Sequence, residues 1–211
     1  NTCYFEPFKG KAERPMILNL ESGGFMKLAP NRFDAEFDAQ SEKPGEQRLE
    51  KMVSGRYMGE LFGMAIAELL GEKGKKYGFT SIDMSNIILD ETAGLTEVGR
   101  IVSAKTGHDL EEVDRQRLQE LASALVVRSA RLVTATYVGI IWQLAGDDAI
   151  KKQHIAIDGS VYEKMPLAKE NIMRALSELL GESASLVDTV LENGGSGLGA
   201  AIAAAMSQKQ A

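Results

Sequence analysis

Three glycines at four-residue intervals, Gly55, Gly59 and Gly63, lie in a stretch whose other residues favour a helix. Glycines with this spacing share one helix face, and each interior glycine costs about 1 kcal/mol relative to alanine. A face without side chains lets another element lie very close, and such packing offsets the cost. The sequence therefore predicts a single helix over residues 44–70, with a partner packed against its glycine face.

The start of this predicted helix carries polar residues suited to binding. A Pro44-Gly45 turn comes first, and Gln47 and Glu50, three residues apart, are expected on one face of the first turns. Such a pair can hold two neighbouring hydroxyl groups. The alternative is that both are solvated helix residues, as most charged residues on a helix are.

A β-hairpin is predicted upstream, with strands at residues 1–5 and 16–20. The second strand ends at Glu21-Ser22-Gly23-Gly24. Glu21 therefore lies at a strand end beside glycines that let a ligand approach the backbone. The alternative is that Glu21 only ends the hairpin.

The remaining pattern predicts more helices, with strands confined to the two ends of the chain. We expect Thr96 to cap a helix that stops before Gly107. The other predicted helices cover residues 81–90, 110–146, 166–180 and 196–206, and the other strands cover 155–157 and 186–191.

Composition limits the possible functions. A chain of 211 residues with 44% hydrophobic residues can bury the core of one domain. Its net charge of −6, without a basic cluster, gives no electrostatic footprint for nucleic acid. The most apolar run, residues 132–145, falls short of the roughly 20 residues that cross a bilayer, so no membrane span is predicted.

Cysteine and histidine usage gives no sign of a disulfide framework or of a metal site. The single Cys3 excludes an internal disulfide, and His108 and His154 with one cysteine have no recognisable zinc spacing. A reduced cytoplasm is the compartment that fits this usage, and no residue is predicted to bind a metal.

A glycine run at residues 194–199 precedes the last predicted helix. It is not a P-loop, because no Lys-Ser or Lys-Thr follows, and it is not a Rossmann fingerprint, because the third glycine falls one position early. Two interpretations stay open: a turn whose N–H groups approach a nucleotide, or a tight turn made for packing. Asp158-Gly159-Ser160, at the exit of a predicted strand, has the same two interpretations.

Five segments, in order, resemble motifs of the hexokinase family. Residues 1–6 (NTCYFE) resemble N-A-C-Y-M-E, residues 19–25 (NLESGGF) resemble N-x-E-W-G-A-F, and residues 41–60 resemble S-x-N-P-G-Q-Q-x-x-E-K-M-I-x-G-x-Y-M-G-E. Residues 155–162 (IAIDGSVY) are similar to V-G-V-D-G-S-V-Y, and residues 195–201 (GSGLGAA) to G-S-G-x-G-A-A. Departures are Ser22, where relatives commonly have Trp, and Leu198, where many have Lys or Arg.

The resemblance implies an α/β fold, the actin-like ATPase (ribonuclease H-like) large domain of a hexokinase, helix-rich and incomplete. Residues 1–211 would be this C-terminal large domain, with sugar-binding residues in a hairpin at 1–25, a helical region at 44–146 and a nucleotide-binding region at 155–206. We expect the chain to be a fragment whose N-terminal part, with the family's first phosphate loop and general-base aspartate, lies upstream. No residue of this chain is therefore predicted to be catalytic, and the isolated chain is expected to be inactive.

The resemblance also implies the substrates and their contacts. The full-length enzyme would transfer the γ-phosphoryl of ATP, with Mg²⁺, to the 6-hydroxyl of a hexose, with glucose the expected sugar. A non-catalytic hexose sensor and a kinase of another sugar are the alternatives. The residues implied for the sugar are Asn1, Glu21, Gln47 and Glu50. The residues implied for the nucleotide are Asp158, Gly159, Ser160, Gly195, Ser196 and Gly197.

Overall fold

The computed structural model describes residues 2–6 and 16–192 and, beyond these, only 194, 195, 197, 199 and 201. The α-helices of this part are α1 (Arg32–Gln40), α2 (Arg48–Val53), α3 (Gly55–Leu69), α4 (Ser81–Ile88), α5 (Thr96–Thr106), α6 (Glu112–Ala145), α7 (Ser160–Lys164) and α8 (Ala168–Leu180). The strands are β1 (Cys3–Glu6), β2 (Met16–Asn19), β3 (Gln153–Ile157) and β4 (Val187–Leu191). Short 3-10 helices cover Ser22–Gly24 and Gly181–Leu186.

The predicted N-terminal hairpin is confirmed. β1 and β2 pair antiparallel, with Cys3 opposite Asn19 and Phe5 opposite Ile17. The ladder continues past the strand ends, since the Leu20 N–H donates to the Thr2 carbonyl at 2.9 Å. The residues that follow β2 therefore lie beside the beginning of the chain.

The glycine face of α3 packs as predicted. A Cβ on Gly59 would lie 2.7 Å from the Phe79 carbonyl oxygen and 2.8 Å from Thr80 Cα, and one on Gly63 would lie 3.4 Å from the Phe79 ring. The close partner is thus the backbone that enters α4. Only glycine allows that backbone to lie this near the helix.

The prediction of one helix over residues 44–70 is wrong in two respects. The helix begins at Arg48, after the turn at Pro44-Gly45, and it breaks at Ser54. Ser54 has extended backbone, and its side chain accepts from the Tyr57 N–H at the start of α3. The Val53 carbonyl accepts instead from Ser129 Oγ on α6 at 2.8 Å. A side chain distant in sequence therefore satisfies the carbonyl at the break.

Two helix starts differ from the sequence predictions. α1 was not predicted, although Asn31 and Asp34 form a reciprocal capping box at its start, with bonds of 2.9 and 3.0 Å. α5 begins at Thr96, but Leu95 occupies the N-cap position, so Thr96 is not the cap. The buried Asp90 carboxylate accepts from the Val98 N–H at 2.8 Å and supplies the missing cap.

The second strand pair, β3 and β4, is parallel. Gln153 pairs with Val187 and Ile157 with Leu191, so both strands end at the same edge. The predicted strands at 155–157 and 186–191 are thereby confirmed, and the helix predicted from residue 166 begins at Ala168. The predicted helix 196–206 lies mostly outside the described residues.

α6 links two hydrophobic clusters. At 34 residues it is about 50 Å long. Leu118 and Val126 belong to a cluster with α3, α4 and α5, while Val138 and Ile141 belong to a second cluster with α8 and β4. The predicted long helix 110–146 is therefore confirmed, and it runs without interruption.

By length and composition, α6 is long and apolar enough to cross a membrane. The sequence prediction of no span considered only the shorter apolar run at 132–145. In this structure the buried positions of α6 pack on neighbouring helices. Arg128 and Arg131 on α6 pair with Asp34 and Glu178 of other helices.

Candidate functional site

Glu21 lies at a sharp turn directly after β2. Its φ of 46° and ψ of 47° are in the left-handed region, and the 3-10 helix Ser22–Gly24 follows. The Asn19 side-chain amide donates to Glu21 Oε1 at 2.7 Å. The turn holds the Glu21 carboxylate at an exposed surface with at least one oriented partner.

Gln47 and Glu50 lie against this same turn. A Cβ on Gly23 would lie 2.9 Å from Gln47 Oε1, 3.2 Å from Glu50 Cβ and 3.4 Å from Glu50 Oε2. Gly23 is two residues after Glu21, so three of the four residues predicted for the sugar come from elements in direct contact. A Cβ at position 23 would come too close to Gln47 Oε1 and would crowd Glu50 Cβ, so the glycine leaves room for both side chains.

The backbone of Gln47 differs from the prediction. It is the N-cap residue of α2, with a φ of 53°, and not a residue of the first helical turn. Its side chain reaches Gly23 and Gly24 from this left-handed position. Non-glycine residues seldom adopt such backbone, and they concentrate at functional sites.

Asn1 lies outside the described residues. Its neighbour Thr2 is described, and Thr2 Oγ1 lies 2.8 Å from Ser22 Oγ, at hydrogen-bond distance. The start of the chain is therefore joined to the Glu21 turn through the residue that replaces the family's Trp.

Lys51 is a supporting residue that the sequence interpretation missed. Its buried ammonium donates to Asp38 Oδ1 at 2.5 Å and to the Lys43 carbonyl at 2.7 Å. Asp38 also accepts from the Gly45 N–H, and the hydrogen bond from Lys51 is the main cause that lowers the pKa of Asp38 below its ordinary 3.8. These bonds hold the loop that leads to Gln47. The sequence signal that could have indicated a buried lysine is its position between two apolar residues, Leu49 and Met52, which are both buried on α2.

The residues predicted for the nucleotide begin at the shared edge of β3 and β4. Asp158, Gly159 and Ser160 follow β3 and are exposed. The Glu192 N–H donates to the Ile157 carbonyl at 2.9 Å, so the chain after β4 starts beside them. Gly195 is only a few residues beyond this point. Ligands of open α/β sheets bind at such carboxyl-terminal strand edges.

The rest of the glycine run is described only in part. Gly197 has helical backbone, and a Cβ added there would meet no described atom within 4 Å. Ser196 lies outside the described residues, so its predicted role is untested.

The two predicted regions meet at the break between α2 and α3. A Cβ on Gly55 would lie 2.9 Å from Val161 Cγ2 and 3.6 Å from the Ser81 side chain. Val161 follows Ser160, and Gly55 follows Glu50 by five residues. One short stretch of helix thus joins the surface of Gln47 and Glu50 to the loop after β3.

A groove of about 740 Å³ runs beside this stretch, but it takes in only part of the predicted surface. Gln47, Tyr57, Phe79 and Ser81 line it, whereas Glu21 and Glu50 do not. The two carboxylates lie on an exposed face of the described residues.

The described residues do not bring together three Asp, Glu, His or Cys side chains in a way that would hold a metal ion. The side chains at the turn, two carboxylates and an amide, are instead acceptors and a donor matched to hydroxyl groups.

The fold has close relatives among solved structures. A hexokinase crystal structure matches 90% of this chain, and 44% of its own length, with a TM-score of 0.73 and 25% identity. Hexokinase from Schistosoma mansoni matches 88% of this chain, and 44% of its own length, with a TM-score of 0.73 and 22% identity. The chain is therefore an α/β protein with the actin-like ATPase fold.

Sequence relatives define the family. A family model described as hexokinase matches residues 1–206, and the chain belongs to the hexokinase family. It is 32% identical to hexokinase-2 of Candida albicans over 94% of its length, and 36% identical to hexokinase-7 of Oryza sativa subsp. japonica over 92%. It is also 32% identical to hexokinase-1 of Saccharomyces cerevisiae over 93%. The chain spans about half the length of these relatives, between 44% and 46%.

Proposed function

We propose that this chain is the C-terminal, large-domain part of an ATP-dependent hexokinase that phosphorylates the 6-hydroxyl of a hexose, with glucose as the expected sugar. The observation that carries the proposal is the contact of the Glu21 turn with Gln47 and Glu50 around Gly23. A related structure, the hexokinase of Schistosoma mansoni, is complexed with glucose, which supports the choice of sugar. We propose the same division of the chain as before: a hairpin region at 1–25, a helical region at 44–146 and a nucleotide-binding region at 155–206.

The sugar-binding roles follow from the chemistry of the side chains. The carboxylates of Glu21 and Glu50 accept hydrogen bonds from hydroxyl groups, and the amide of Gln47 both donates and accepts. Each hydrogen bond to a charged group contributes about 1.5–3 kcal/mol. Asn1 is assigned to the same surface because its neighbour Thr2 contacts Ser22 in the turn. Together these groups would hold the sugar and orient the hydroxyl that reacts.

The nucleotide would lie at the carboxyl edge of β3 and β4. Asp158, Gly159 and Ser160 at one strand end, and Gly195, Ser196 and Gly197 after the other, are the proposed contacts. Support comes from the register that ends both strands together and from the contact of Val161 with Gly55. That contact brings the loop after β3 close to the helix that carries Glu50.

Phosphoryl transfer would need groups beyond those assigned here. We assign the general base to sequence upstream, and no described residue to Mg²⁺, because no acidic or histidine cluster among the described residues fits a cation. No step is therefore derived through a metal held by this chain. The contribution proposed for these residues is binding and orientation of the two substrates. The cytoplasm is the proposed compartment, since the chain has one cysteine and cannot form an internal disulfide.

Charge-neutral substitutions of the two carboxylates test the proposal. In the full-length gene product that contains this chain, Glu50→Gln or Glu21→Gln should lower kcat/KM for glucose about 10- to 150-fold, because each removes a bond to a charged group. The KM for ATP should stay nearly unchanged. Steady-state kinetics in a coupled ATP assay measures both constants.

Glu120→Gln, the same chemical change at an exposed position on α6, is the matched control and should keep wild-type constants. Wild-type sugar kinetics in both site variants would remove Glu21 and Glu50 from the proposed site. Hexose binding without ATP-dependent phosphorylation in the wild-type protein would favour a sensor instead, and a comparison of glucose, mannose, fructose and N-acetylglucosamine identifies the preferred sugar.

A further inference from the structure

Arg48 connects the two sides of the proposed sugar site through backbone carbonyls. Its Nη1 donates to the Met26 carbonyl at 2.5 Å and to the Leu28 carbonyl at 3.1 Å. Both carbonyls belong to the segment that leaves the 3-10 turn Ser22–Gly24. The arginine is the first residue of α2, directly after Gln47 and two residues before Glu50.

An arginine at the first position of a helix is electrostatically unfavourable. A cation in the first turn of a helix meets the positive end of the helix dipole, where acidic residues are preferred. The two carbonyls offset that disadvantage, because hydrogen bonds from a charged donor are stronger than those from a neutral one. Arg48 is also half-buried, which shields these bonds from water.

The geometry points to Arg48 as a positioning residue for hexose recognition. The guanidinium fixes residues 26–28 to α2, and this keeps the preceding Glu21 turn pressed on Gln47 and Glu50. A Cβ added to Gly23 would lie only 2.9 Å from Gln47 Oε1 and 3.2 Å from Glu50 Cβ, so the turn packs closely on these two side chains. Arg48 does not touch the sugar in this account, which rests on the function proposed above.

The role predicts a selective kinetic defect. In the full-length gene product, Arg48→Met keeps most of the side-chain volume but removes the donors. The KM for glucose should rise about tenfold, with the KM for ATP changed less than twofold, because only the sugar side loses its alignment. Arg48→Lys, which keeps one charged donor, should recover part of the loss.

Arg117→Met is the matched control. Arg117 is an exposed arginine on α6 that pairs with Asp114 of its own helix at 3.0 Å, and its loss should leave both constants at their wild-type values. A glucose KM within twofold of wild type in Arg48→Met would overturn the proposal. Equal changes in the glucose and ATP constants would also overturn it, because they indicate a general structural role.

Amide hydrogen exchange tests the same idea without relying on activity. Residues 22–28 should exchange at least about fivefold faster in Arg48→Met than in wild type, while α6 stays protected. Unchanged exchange in residues 22–28 overturns the positioning role even if the protein proves not to phosphorylate hexoses. Failure of the proposed function appears separately, as a wild-type protein without hexose kinase activity.

Discussion

Single residues in this chain occupy unusual backbone where the proposed site lies. Among the described residues, the non-glycine positions with positive φ are Glu21, Gln47, Leu95 and Leu167. All four precede helices, so strain alone does not identify a site. Glu21 and Gln47 are distinguished by their polar side chains and by their elements, because the Gln47 side chain lies against Gly23 in the turn that Glu21 begins, and this convergence supports the assignment.

Asp90 shows how one buried carboxylate organises a helix start and makes its stability depend on pH. Burial acts to raise its pKa, but hydrogen bonds from Thr92 and Val98 outweigh this, so the pKa lies below its ordinary 3.8. A carboxylate with a lowered pKa stabilises the fold above its ordinary value. That contribution is lost as the pH falls through the lower, folded-state value.

We therefore predict that Asp90→Asn destabilises the protein by about 1–3 kcal/mol at pH 7, because an amide NH₂ would face an N–H donor. The difference from wild type should shrink as the pH falls below about 4. Denaturant unfolding at several pH values measures this difference in the free energy of unfolding, with Asp109→Asn at an exposed position as control. An equal difference at pH 7 and at pH 2.5 would contradict this account.

At the scale of elements, α3 depends on close backbone packing. The carbonyl oxygen of Phe79 and the Cα of Thr80 lie only 2.7 and 2.8 Å from where a Cβ of Gly59 would be. Lys105 donates to the Gly78 carbonyl at 2.9 Å and fixes the same segment from the other side. The segment that enters α4 is thus held between two helices.

Two glycine substitutions separate packing from helix propensity. Gly59→Ala should destabilise the protein by about 1–3 kcal/mol, because the added methyl overlaps backbone that cannot rotate away. Gly139→Ala in α6 should stabilise the protein by up to about 1 kcal/mol, because among the described residues no atom outside the helix's own turns lies within 4 Å of the added Cβ. Thermal or denaturant unfolding compares them, and equal effects of both substitutions would refute the packing explanation.

The sequence predicted elements best where local chemistry determines them. The hairpin, the glycine face of α3 and the long α6 follow from residue patterns alone. The break at Ser54 does not, because it depends on Ser129, 75 residues further along the chain, which binds the Val53 carbonyl. α1 was missed although its Asn31-Asp34 capping box was present in the sequence.

Only part of the candidate site could be predicted, because local motifs are visible in the sequence and contacts between distant loops are not. Glu21, Gln47 and Glu50 were singled out by their motifs, and the structure brings their elements together. The roles of Arg48 and Lys51 depend on carbonyls and carboxylates in other loops, which no spacing in the sequence reveals. Asn1 and Ser196 lie outside the described residues, and the binding roles of all the proposed site residues stay predictions.

At the scale of the whole molecule, the break between α2 and α3 joins the two proposed substrate regions. α2 carries Glu50, while Gly55 at the start of α3 packs against Val161 of α7, the helix that follows β3. α6 packs under both regions, since residues of its two halves belong to different hydrophobic clusters. A substitution at this junction should therefore change the affinity for the nucleotide.

A compensating pair of substitutions tests that junction. Gly55→Ala places a Cβ 2.9 Å from Val161 Cγ2 and should displace Ser160, raising the KM for ATP about fivefold with little change for glucose. Adding Val161→Ala frees the space and should restore most of the affinity. No recovery in the double variant would show that the two residues are not coupled in this way.

Glu21, Gln47 and Glu50 are proposed to line one hexose site. A crystal structure of the full-length gene product with glucose tests it most directly. We expect sugar hydroxyls within hydrogen-bond distance, about 2.5–3.2 Å, of both carboxylates and of the Gln47 amide. Glucose bound away from the Gly23 turn, with these side chains facing solvent, would contradict it.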